Sequence, residues 1–158
     1  MGFFAGDGAW LFPISYVAHI LEEWLLGERF SFWVRRITGR VMSRRAYFTL
    51  NVLFLGLMTA AVLLIRSRQG LWLVPAMAIM VVVNGFGHLV GAVVTRAYAP
   101  GAVTGVLLWM PLGVIALFGS TIWLTPSAWW LGVGAGLLMS GLVFALGFGS
   151  SRQASMVE

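Results

Sequence analysis

Five stretches of about 20 largely apolar residues, roughly 9–27, 46–65, 71–95, 101–118 and 128–148, leave this chain few ways to fold. In lipid every backbone N–H and C=O needs a partner within the protein, which restricts spanning structure to helices and closed barrels. The stretches are continuously apolar and do not alternate. The expected fold class is therefore all-α: a polytopic membrane helix bundle of about five transmembrane helices, in a single domain over 1–158, with a short polar tail at 149–158. Only 9% of residues are charged, against roughly 25% in soluble domains. The absence of Cys excludes disulfides, thiolate metal sites and a cysteine nucleophile.

Charge gives the chain a direction. All ten basic residues are Arg, and six of them (Arg29, Arg35, Arg36, Arg40, Arg44 and Arg45) lie in the 28–45 segment after the first stretch. The positive-inside rule makes that segment cytoplasmic. Phe30, Trp33, Val34, Ile37 and Val41 fall on one helical stripe with Arg29, Arg36 and Arg40 beside it, the pattern of an amphipathic helix at the interface. Anionic inner-leaflet lipids are the expected partner of the Arg-rich segment, not nucleic acid. Five spans then put the N-terminus outside and the C-terminus inside, with Arg66 and Arg68 the one pair against the rule. The first residues carry no basic n-region, and Gly6 stands where myristoylation favours Ser or Thr, so neither a cleaved signal nor a lipid anchor is expected.

Within this apolar background, the first stretch carries His19-Ile20-Leu21-Glu22-Glu23. A charged side chain at the centre of a span costs about 2.5–3.5 kcal/mol on insertion scales, so such groups mark functional sites and have partners. At about 100° per residue, Glu22 and Glu23 flank His19 on one helix face. Ser15 and Tyr16 extend that face. The third stretch carries Asn84 and His88 four residues apart, with Gly85, Gly87 and Gly91 allowing close helix approach.

Depth brings these groups together. With the first and third stretches both running inward at 1.5 Å per residue, Glu23, Asn84 and His88 all lie about 20–25 Å below the outer boundary. Asn51 and Thr104 fall in the same cytoplasmic half. Tyr98-Ala99-Pro100-Gly101 makes a tight turn into the fourth stretch, with Tyr98 at the inner interface. Pro111 is expected to kink the fourth helix. In the fifth, Gly132, Gly136 and Ser140, then Gly141, Ala145 and Gly149, make two close-packing faces.

His19-x-x-Glu22-Glu23, Asn84-x-x-x-His88 and Tyr98-x-Pro100-Gly101, in that order, resemble the bacterial membrane family named for its HXXEE motif. The resemblance runs from about residue 10 to 112. It implies that these motif residues form the site, and it names no substrate.

Nitrogen and oxygen ligands without thiolates suit zinc or non-haem iron. The expected site is a divalent metal on His19, Glu22, Glu23 and His88, with Glu22 and Glu23 also as catalytic carboxylates and Asn84, Asn51 and Tyr98 in support. The substrate would be a lipid-like or isoprenoid molecule arriving from the inner leaflet. One alternative is a metal-free enzyme using a buried Glu as general acid, with aromatic rings stabilising cations. Another is a proton-coupled carrier or partner subunit, which with so few spans would oligomerise. A purely structural polar layer explains less, because interhelical polar bonds average about 0.6 kcal/mol.

Overall fold

The computed structural model describes residues 2–27, 29–149 and 152–153, and it is helical apart from a two-residue antiparallel pairing of Arg40–Val41 with Arg152–Gln153. Six helices follow in chain order: α1 Leu11–Leu25, α2 Phe30–Thr38, α3 Arg44–Arg66, α4 Leu73–Thr95, α5 Ala102–Ser120 and α6 Pro126–Gly149. Four of them, α3 to α6, are long and apolar enough to cross a membrane. Their outward faces are bare hydrocarbon: Val94 is 73% and Leu138 74% exposed. Such surface is tolerable only against lipid. The chain is a membrane helix bundle.

The stretch expected as the first span differs from the others. Its α-helix has 15 residues, short of a full crossing, and 3-10 turns at Phe3–Ala5 and Asp7–Trp10 precede it. Even so, this segment runs antiparallel to α3 for most of its length. The Arg66 guanidinium meets the Asp7 carboxylate at one end, and Tyr47 donates to Glu23 Oε2 (2.9 Å) at the other. From Tyr47 to Arg66 a helix rises about 28 Å. The Arg66 charge that opposed the positive-inside count thus has an acidic partner.

The basic segment is also shorter as a helix than its periodicity predicts. Gly39, at φ 70°, ends α2 with its N–H on the Arg35 carbonyl (2.8 Å), so Arg40 and Val41 leave the helical stripe. Nor does the apolar face lie free for lipid. Trp33 and Val34 are buried with Ala99, while Phe32 and Ile37 remain exposed. Ser43 restarts the chain as the N-cap of α3, accepting from the Ala46 N–H (3.1 Å).

Helix α4 is central, carrying α5 and α6 on its flanks, while α1 packs between α3 and the start of α5. Where α4 crosses α5, Gly85 and Gly105 touch: a Cβ on Gly85 would lie 2.7 Å from the Gly105 carbonyl oxygen. Any side chain at either position would part the two helices. The irregularity expected at Pro111 takes the form of a π turn over Gly105–Trp109, just upstream of the residue that has no N–H to donate. Gly132 and Gly136 seat α6 on the Trp72–Pro75 and Ala76 backbone of α4, with Ser140 buried below. On the second small-residue face, nothing among the described residues lies near a Cβ on Gly141, and Ala145 is exposed. The tail beyond Gly149, apart from the backbone of Arg152 and Gln153, lies outside the described residues.

Candidate metal centre

His19 and Glu23, one helical turn apart on α1, face His88 of α4, and all three are buried to 5% exposure or less. Nε2 of His19 stands 3.5 Å and Nε2 of His88 3.4 Å from the same oxygen, Glu23 Oε1. These separations are long for a charge-assisted N–H···O bond, which closes to about 2.7–2.9 Å. They match the edges of a coordination tetrahedron. Two ligands about 2.05 Å from an ion at the tetrahedral angle lie about 3.3 Å apart. One ligand atom from each of the three residues lies within 4.8 Å of the other two.

Hydrogen bonding favours one His19 tautomer. Thr104 Oγ1 lies 2.7 Å from His19 Nδ1 and, with its own proton turned toward the Gly101 carbonyl at a long 3.4 Å, would accept from Nδ1–H. A neutral imidazole so held turns the lone pair of Nε2 toward the cluster. That buried nitrogen has no hydrogen-bond partner of its own. The Trp109 ring stacks on the imidazole at 3.7 Å between centroids, and Trp109 Nε1 is anchored on Ser15 Oγ (3.2 Å). Tyr47 fixes the second Glu23 oxygen. Tyr47 in turn offers its backbone carbonyl to Asn51 Nδ2 (2.9 Å), while Asn51 Oδ1 accepts from Tyr16 (2.7 Å).

Glu22 takes a different position from the one its spacing suggests. It stands apart from the cluster and caps the N-terminus of α5, accepting from Val103 N–H (2.9 Å), Thr104 N–H (2.6 Å) and the Tyr98 hydroxyl (2.5 Å). Helix α5 has no capping side chain of its own, so a carboxylate from α1 satisfies its first amides and its dipole. Burial, with the Glu22 carboxylate beside it, raises the pKa of the Tyr98 phenol and keeps it a donor. Gly101 explains the end of the turn motif. It holds φ 90°, and a Cβ there would lie 2.6 Å from His19 Cε1 and 2.9 Å from His88 Cε1. Both the backbone and the imidazole pair exclude a side chain.

The cluster forms one wall of a cavity of about 160 Å³. Asn51 and Asn84 lie on its wall, and the rest of the lining is apolar or aromatic, including Phe30, Trp33, Phe54 and Phe144. Of the four ligands expected from the sequence, the structure gathers His19, Glu23 and His88 and leaves Glu22 aside; Asn51 and Asn84 lie beside the cavity, and Tyr98, expected as an interface residue, bonds to Glu22. Sequence reasoning misses Tyr47, Trp33 and Trp109, aromatic residues indistinguishable by type from the many that anchor at membrane interfaces. It mentions Thr104 only for its depth.

Searches of curated proteins and of solved structures return no match. A family model described as "Protein of unknown function with HXXEE motif" matches residues 10–116, which takes in α1, His88 on α4 and the capped start of α5. With more than half its length inside that match, and with His19, Glu22 and Glu23 at the motif positions, the chain belongs to the HXXEE family.

Proposed function

We propose that His19, Glu23 and His88 bind a divalent metal ion, zinc or iron, and that the protein is a membrane enzyme acting on an apolar, lipid-like substrate. The observation that carries this is the pair of 3.4 and 3.5 Å approaches to one carboxylate oxygen: too wide for hydrogen bonds and right for shared coordination. Three protein ligands beside a cavity leave a further position open, as catalytic sites do and structural ones do not. A metal there would act as a Lewis acid or activate water or dioxygen. Thr104 and Tyr47 would hold the ligands, and Glu22 would act as a positioning carboxylate and not as a ligand.

The topology that accompanies this reading puts the 28–45 segment on the cytoplasmic side of a bacterial inner membrane, against anionic lipid, with the N-terminus outside. The Asp7–Arg66 contact supports five crossings, because it carries the first helical segment to the far end of α3.

Metal analysis of detergent-purified protein tests the centre. About one equivalent of zinc or iron is expected, most of it lost in folded His19→Ala, Glu23→Gln and His88→Ala variants. A parent without metal overturns the proposal in favour of Glu23 as a general acid, a second reading that the aromatic rings around the cavity support.

A further inference from the structure

The cavity has an asymmetry that the metal centre alone does not explain. Besides the cluster, Asn51 and Asn84, its lining includes Trp33, whose buried indole N–H has no acceptor. Trp33 is 5% exposed, its ring edge pressed on Gly91 of α4 and its plane roughly parallel to His88. A buried donor left unpaired is costly, so a ligand oxygen that reaches Trp33 Nε1 is favoured. The opposite side is hydrocarbon. Leu50 and Phe54 of α3 line the cavity with Val143 and Phe144 of α6, and among the described residues α6 packs chiefly on α4. The gap between α3 and α6 continues past Phe54 and Asn84 into a smaller void beside Met58, Met80 and Ser140. Phe144 is 39% exposed along it. Both helices are long and apolar enough to cross a membrane, where a gap between them would open to acyl chains.

Size narrows the occupant. A dry cavity of about 150 Å³ accommodates benzene, so about 160 Å³ takes the first five or six carbons of one chain. Two chains do not fit.

We infer that the site takes a single-chain lipid whose head is an oxygen acceptor, with the head oxygen between the cluster and Trp33 Nε1 and the chain leaving through the α3–α6 gap into the bilayer. This rests on the proposed metal centre for the open coordination position, whereas the Trp33 donor and the gap are independent of it.

The test uses the full chain in nanodiscs with a hexadecanol probe carrying a diazirine near its fifth carbon and a terminal alkyne. Capture is expected on peptides containing Phe54 or Phe144, competed by unlabelled hexadecanol and not by hexadecane. Trp33→Phe, which keeps the ring and loses the donor, should reduce capture about 10-fold. Val143→Trp or Leu50→Trp, filling the gap from either side, should abolish it. Metal content is read on every sample. Equal competition by hexadecane, capture indifferent to both Trp substitutions, or equal capture of a diacyl phospholipid probe would overturn the inference. Metal retained without capture refutes this inference alone, and capture without metal refutes the metal centre alone.

Discussion

Consecutive residues of one helical turn line two very different environments. Glu22 closes a pocket at the start of α5 in which a hydroxyl and two amides meet its oxygens. Glu23 faces a cavity, with one oxygen held by Tyr47 and the other shared at long range by two imidazoles. The first environment is saturated and can change only by breaking. The second is held in shape by neighbours yet keeps coordination capacity free, which is the condition for binding an ion. The two carboxylates of the motif therefore divide between building the site and using it.

The largest effect should separate them directly. Glu23→Gln should lower metal affinity by more than about 100-fold, beyond the 10–100-fold typical of residues that only orient ligands, with little change in melting temperature. Glu22→Gln should do the reverse. Its amide N–H₂ would face other donors at the α5 N-terminus, costing about 2–3 kcal/mol, while folded protein keeps its metal. Thermal unfolding and metal content on the same preparations check this. Equal metal loss in both would erase the distinction.

That distinction could not be read from the sequence, and the reason is physical. Helical spacing sets Glu22 and Glu23 at similar angles from His19, and what separates them is the first turn of α5, some 80 residues later in the chain. The common depth of Glu23, Asn84 and His88 was legible, because hydropathy and a rise of 1.5 Å per residue decide it. The four long helices were legible for the same reason. The docking of α2 was not, since an amphipathic stripe matches a lipid surface and a protein groove equally well until Gly91 is found to admit Trp33.

Next in size is Gly101→Ala, which acts on both environments because Gly101 lies between them. The left-handed backbone costs about 1–2 kcal/mol for a residue with a Cβ. The new methyl also pushes on His19 and His88. Both melting temperature and metal affinity should fall, the latter by about 10-fold or more, comparable to the loss of an orienting group. A variant that loses stability alone would mean that the imidazoles can retreat, and the cluster would then be less rigid than its packing implies.

The smallest effect should come from the one residue that belongs to both environments through different atoms. Thr104 donates its backbone N–H to Glu22, and its hydroxyl oxygen faces His19 Nδ1 as an acceptor. Thr104→Val keeps the first contact and the side-chain shape but removes the acceptor that fixes the His19 tautomer. The Nδ1–H is then left unpaired, and metal affinity should drop by about 10-fold with the fold intact. Thr104→Ser restores the acceptor and should recover most of that loss, which a merely structural role for the methyl would not allow. If Ser failed to rescue while Val left the metal in place, the link from the Glu22 cap through Thr104 to the His19 ring would be broken, and the two environments would be neighbours without coupling.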